Sequence, residues 1–209
     1  MDWTVWITAA AVVAHALAYL IYLWQVWRRQ SVPNASTWLA WIFIAALGVA
    51  TYQGMTNDWL KTAPLVAAAV GCTTVTAIAA SMRLFKRLEP WDWIALAVSV
   101  GAAIIWVATR DATRANLFLQ LSAVASFTPT LRALTRRDPA KKISEKSPAW
   151  LVWSLAYALN NAVVLCRWTG HWPDIVGPLV DFIGHATIAA TVVALVHVNR
   201  RRQRPRRQT

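Results

Sequence analysis

Apolar runs of about 20 residues, each closed by a short cluster of charges, recur along the whole chain, and that is the length a helix needs to cross a bilayer. Of 209 residues, 57% are hydrophobic and only 14% charged. Soluble domains carry about a quarter charged residues. A soluble helical protein would also show amphipathic stripes with charges at every turn, and most of this chain shows none. The pattern predicts an all-α integral membrane protein.

Seven spans are expected: about Thr4 to Val26, Thr37 to Met55, Pro64 to Met82, Trp91 to Thr109, Ala115 to Leu134, Pro148 to Trp168 and Asp174 to Asn199. Asp2 is the only charged side chain before Arg28. The first run therefore lacks the basic start of a signal peptide and reads as a retained helix. The connections carry turn formers such as Pro33 and Asn34.

If the spans alternate, 17 of the 21 Lys and Arg residues fall on one side. They are Arg28 and Arg29; Arg83, Lys86 and Arg87; six between Arg132 and Lys146; and six from Arg200 to Arg207. Lys61, Arg110, Arg114 and Arg167 fall on the other. The positive-inside rule then places the N-terminus outside and the C-terminus in the cytoplasm, and only an odd number of spans keeps the clusters together. The expected location is a bacterial cytoplasmic (inner) membrane. The net charge of +12 is accounted for by this topology and by anionic headgroups, so membrane lipid is an expected partner and nucleic acid is not. The tail from Arg200 to Thr209 is expected to be disordered. A homo-oligomer is compatible with the sequence.

A four-residue word occurs twice, as Trp38-Leu39-Ala40-Trp41 and Trp150-Leu151-Val152-Trp153. A second echo pairs Pro64-Leu65-Val66 with Pro178-Leu179-Val180 at nearly the same offset. These landmarks map spans 1–3 onto spans 5–7 and leave span 4 over. An odd connecting helix gives both units the same orientation, which is a parallel repeat about an axis along the membrane normal. The expected organisation is a first three-helix repeat over 1–87, a linker helix over 88–113, a second repeat over 114–199 and a basic cytoplasmic tail over 200–209.

This 3+1+3 plan resembles the PQ-loop superfamily, which includes the SWEET sugar facilitators and shares its fold with the KDEL receptors. Pro129-Thr130 looks like a variant of the family's Pro-Gln pair, followed by Arg136, Arg137, Asp138, Pro139 and the Trp150/Trp153 pair. In the first half Trp24-Gln25 keeps the glutamine, and Pro33-Asn34-Ala35-Ser36-Thr37-Trp38 is similar to the polar loop leading into a tryptophan. The PnuC vitamin transporters are a second resemblance, through the same plan and a Trp-x-x-Trp pair in helix 6. The resemblance implies transport of a small solute. In SWEETs an asparagine stands beside the helix 7 proline; Leu179 stands beside Pro178 here.

Candidate binding residues come from the spans themselves. Trp153, Tyr157, Asn160 and Asn161 recur at helical spacing in span 6, and aromatic faces with a few placed amides suit a small polar solute. Asp181 and His185 lie one turn apart in span 7, where a carboxylate at membrane depth normally faces a cavity or a partner. His15, Tyr19 and Tyr22 step along span 1, Asn116 and Gln120 along span 5, and Trp41 opens span 2. Trp150 reads as interfacial. Pro129, Gly177 and Pro178 are candidate hinges, because proline in a membrane helix frees backbone groups and permits bending. Spans 2 and 3 look poor in polar groups. The two cysteines, Cys72 and Cys166, read as small buried side chains. No spacing of metal ligands, nucleophile elbow or phosphate loop occurs, so neither an enzyme nor a cofactor is expected.

The leading expectation is a small-solute transporter, facilitative or proton-linked, with alternating access between two three-helix bundles. The competing expectation is a non-transporting receptor or assembly scaffold. A transporter requires a polar cavity lined by both repeats; a scaffold requires a packed interior with Asp181 and His185 satisfied.

Overall fold

A computed structural model describes residues 2–85, 90–135 and 145–203. Among the described residues all regular structure is helical. The helices are α1 (Trp3–Trp27), α2 (Ala35–Thr56), α3 (Trp59–Ser81), α4 (Pro90–Thr109), α5 (Ala112–Thr135), α6 (Ser147–Cys166) and α7 (Pro173–Gln203). Six of them are long and apolar enough to cross a membrane; α4 contributes an apolar stretch over Leu96–Thr109. Arg136, Arg137, Asp138 and Pro139, two residues of the linker region (88–89) and the tail beyond Gln203 lie outside the described residues.

Local chemistry sets the helix ends. Asp2, Asn34 and Asp58 are N-caps whose side chains accept from the backbone N–H groups of Thr4, of Ser36 and Thr37, and of Leu60. The Asp58 cap starts α3 at Trp59 rather than Pro64, so Lys61 lies inside the helix instead of in the loop expected from sequence. Arg29, Asn57, Arg83 and Arg110 turn the chain with positive φ just past helix ends. The expected disordered tail is corrected in part, since α7 runs on through Gln203. Arg and Gln are good helix formers, and cations suit a helix C-terminus.

Prolines inside α3, α5 and α7 remove backbone donors, and neighbours fill in. Pro64 frees the carbonyl of Leu60, which accepts from the Thr8 hydroxyl of α1 at 3.2 Å. Pro178 frees the carbonyl of Asp174, which accepts from the Tyr52 hydroxyl of α2 at 2.7 Å. In apolar surroundings a freed carbonyl needs such a partner.

Packing places α3 against both α1 and α2, and α7 against both α5 and α6. Across the molecule α1 meets α6 and α2 meets α5, while α4 lies on α5 and α2. Two glycines let rings cross the backbone closely. A Cβ on Gly71 of α3 would overlap the Tyr19 ring of α1, and a Cβ on Gly184 of α7 would overlap the Phe127 ring of α5. The outer faces stay apolar, with Val13, Leu20, Val70, Ile104 and Leu121 all exposed. Trp3, Trp6, Trp59, Trp168 and Trp172 are exposed near one end, and Trp24, Trp27 and Trp93 near the other. Apolar flanks between aromatic girdles match a lipid environment.

Candidate functional site

The repeated tryptophan word meets itself in the middle of the molecule. Trp38 and Trp41 lie 5.1 Å apart by ring centroid, and Trp150 and Trp153 lie 5.2 Å apart. The cross pairs also match: Trp38 to Trp153 is 6.1 Å and Trp41 to Trp150 is 5.9 Å. All four are buried. Tyr22 stacks on Trp38 at 4.9 Å, and Tyr19 meets Trp153 edge-on at 5.0 Å. Trp150 is therefore a core residue, not the interfacial one expected. The run of small residues around the pair in α2 and α6, Ala40, Ala45, Ala149 and Ala156, is buried too and makes room for the indoles.

Beside this cluster lies a cavity whose empty space is about 590 Å³, counted out to its open mouth. Six helices line it: Tyr19 of α1; Trp41, Ile44, Ala45, Gly48 and Tyr52 of α2; Leu65, Ala68 and Cys72 of α3; Asn116, Leu119 and Gln120 of α5; Tyr157 of α6; and Gly177, Pro178, Asp181 and His185 of α7. The expectation that α2 and α3 are polar-poor is corrected, since Tyr52, Cys72 and Lys61 all lie at or next to the cavity.

Of the residues singled out from sequence, Trp41, Tyr157, Gln120, Asp181, His185, Gly177 and Pro178 come together around this space. Trp153, Asn160, Asn161, His15 and Pro129 are not among the residues that line it. Trp153 belongs to the indole cluster. Asn160 is fully buried, with both side-chain polar atoms unpartnered. Asn161 donates to the carbonyls of Tyr157 and Pro178 at 2.8 and 2.9 Å, tying α6 to α7 beside the proline. The His15 ring packs edge-on against Tyr157 at 4.6 Å.

The hydrogen-bonding character of the walls is one-sided. His185 Nδ1 lies 2.7 Å from the backbone carbonyl of Asp181. A carbonyl only accepts, so Nδ1 carries the proton and Nε2 of the neutral ring is an acceptor. The Asp181 carboxylate itself takes part in no hydrogen bond or ion pair among the described residues, so the Asp181–His185 pair is joined through the backbone alone. On α5, Gln120 Nε2 donates to the Asn116 carbonyl at 3.2 Å, and Asn116 Nδ2 donates to Thr51 Oγ1 at 3.2 Å. Gly177 makes the Gln120 position available, because a Cβ there would sit 3.2 Å from Nε2. Tyr19 and Cys72 share a hydrogen bond at 3.1 Å.

Each end of the cavity region is fastened differently. At one end Lys61 Nζ and Asp174 Oδ2 form an ion pair at 2.7 Å with side chains only 1% and 2% exposed. His171 Nδ1 lies 3.0 Å from the other carboxylate oxygen, and Tyr52 links the pair to the cavity wall. Nearby, Arg167 bridges Asp58 at 2.6 Å and Asp2 at 2.9 Å. The Asp58 hydrogen bond holds the Arg167 guanidinium above its usual pKa, and hydrogen bonds from Thr4 hold Asp2 below the usual carboxylate value.

At the other end Glu145 is buried against the indole cluster. It accepts from the Tyr22 hydroxyl at 3.0 Å and from Trp150 Nε1 at 3.1 Å. Burial pushes its pKa up to about 8, against the opposing pull of hydrogen bonds from Trp150, Tyr22 and Ser31. Ser31 in turn donates to Gln25 and accepts from the backbone of Lys146. Neither Lys61 nor Glu145 was singled out from sequence. Lys61 carried one signal, a lone cation three residues before Pro64 in an otherwise apolar run. Among the described residues no group of three or more His, Cys, Asp or Glu is placed to hold a metal ion.

No protein family, no curated protein and no solved structure matches this chain.

Proposed function

We propose that the chain is a seven-span membrane transporter for a small polar solute, built as two parallel three-helix units joined by α4. The observation that carries this reading is the cavity itself. It is lined by helices of both units and holds a carboxylate, that of Asp181, with no protein partner among the described residues. A scaffold would have that group satisfied, since an unpaired buried charge is costly.

Three further observations support the two-unit plan. The contacts among these six helices, leaving α4 aside, are unchanged when α1, α2 and α3 are exchanged for α5, α6 and α7. The matched indole distances follow the same exchange. So do the two notches at Gly71 and Gly184. The bias of basic residues to one side favours an N-terminus outside and a cytoplasmic C-terminus. The Lys61–Asp174 end then faces outward and the Glu145 end inward. Access would alternate as the units rock, with Pro64 and Pro178 as bending points beside the cavity.

Cys72 offers a native reporter. It lines the cavity, and Cys166 is the only other thiol. In a Cys166→Ser variant reconstituted in oriented vesicles, membrane-impermeant maleimide should label Cys72 when added from either face. Failure to label from both faces, with labelling restored on unfolding, would instead favour a receptor or scaffold.

A further inference from the structure

Resting on the transporter reading, we infer that the solute is a small organic ammonium ion, bound through Asp181 and the aromatic rings of the cavity. Charge is the first argument. No Lys or Arg lines the cavity, and the nearest buried cation, Lys61, is committed to Asp174. Asp181 is thus a carboxylate in apolar surroundings without a resident counter-ion. Such a group takes up a cation or a proton.

Hydrogen-bond polarity is the second argument. The amide donors on the wall are largely engaged, Gln120 Nε2 on the carbonyl and side-chain oxygen of Asn116 and one hydrogen of Asn116 Nδ2 on Thr51. The protonated nitrogen of His185 is used on the Asp181 carbonyl. The free groups on these walls are rich in acceptors: the Asp181 oxygens, Gln120 Oε1 and His185 Nε2, with the Tyr157 hydroxyl beside them able to donate or accept. An acceptor-rich site recognises a guest that supplies N–H donors, and charge-assisted bonds of that kind are the stronger sort. Anions, which need donors from the site and are repelled by a carboxylate, are poorly matched.

The third argument is the remaining lining. Tyr19, Trp41, Tyr52 and Tyr157 bring aromatic rings to the same space, and such rings attract an ammonium group and its alkyl substituents. The carboxylate and the acceptors lie on α5 and α7 of one unit and three of the four rings on α1 and α2 of the other, so binding one cation would draw the units together.

The test uses n-butylammonium and its neutral counterpart n-butanol on the full-length Cys166→Ser protein in vesicles. The readout is the rate of Cys72 alkylation. n-Butylammonium should slow it at concentrations at least about tenfold below those at which n-butanol acts, the discrimination expected of one charge-assisted contact. Asp181→Asn should abolish that difference. Equal protection by the two compounds would overturn the assignment without reference to any variant, so a poorly folding Asp181→Asn does not shield it. If Cys72 labels from both faces but the two compounds act alike, the ammonium assignment fails and the transporter reading stands. If Cys72 labels from neither face, both fail.

Discussion

The two ends of the cavity region are fastened by different physics. At the Asp174 end the contacts are ionic: Lys61 with Asp174 in the interior, Arg167 with Asp58 and Asp2 nearer the surface. At the Glu145 end they are aromatic: four indoles and two phenols pack together, and Trp150 and Tyr22 donate to a single carboxylate. The first kind of closure depends on pairing, because each buried partner is unfavourable alone. The second depends on shape, and ring packing varies little with salt. The comparison teaches that a centre of matched indole spacings can carry unlike ends.

The largest effect should come from breaking the buried ion pair. Lys61→Met is expected to lower stability by about 3–5 kcal/mol, since Asp174 is left buried and uncompensated. Adding Asp174→Leu should restore most of the loss. Chemical denaturation in detergent measures both, and a single variant as stable as the parent would show that the pair does not fasten this end.

The next effect is a pH dependence specific to the aromatic end. Glu145 has its pKa raised from 4.5 to about 8. Between these values the folded state holds a proton that the unfolded state has lost. Its contribution to stability is therefore full below about 4.5 and is lost as pH rises through about 8. Glu145→Gln should flatten this part of the stability curve. An unchanged slope would remove Glu145 as its origin.

A smaller effect, about 1–3 kcal/mol, is expected for Trp150→Phe, which takes one donor from Glu145 while keeping a ring in place. Trp41→Phe removes a donor from Ser126 rather than from Glu145 or Tyr22, so a pH profile altered by the first variant and not the second would sharpen the contrast. The smallest is Arg167→Ala. Its side chain is 31% exposed, and ion pairs of that kind contribute about 0–1 kcal/mol. A thermal shift in detergent as large as that of Lys61→Met would erase the distinction between inner and outer pairs.

Most helices were legible because run length alone reveals an apolar helix. Their pairing was foreshadowed by the doubled Trp-x-x-Trp. What stayed hidden was contact across long sequence separations. Lys61 and Asp174 lie 113 positions apart; Lys61 on its own reads as a loop charge and Asp174 as the first residue of a span. Trp150 was misread because tryptophan near a helix start is usually interfacial. Only the neighbouring indoles, supplied by a helix over a hundred residues earlier, place it inside. Asp181 and His185 were legible as a pair on one face, but not that the histidine would spend its proton on the backbone and leave the carboxylate bare.

The four-indole arrangement has a consequence of its own. Trp38 meets Trp153 much as Trp150 meets Trp41, so each half offers the surface it also accepts. That is the geometry of an isologous dimer, here held within one polypeptide. A seam of this kind tolerates drift at the periphery but not at its axis, where a change in either copy is felt by the other. Paired substitutions, one in each tryptophan word, should therefore be strongly non-additive, whereas the peripheral charges of the two halves are free to diverge.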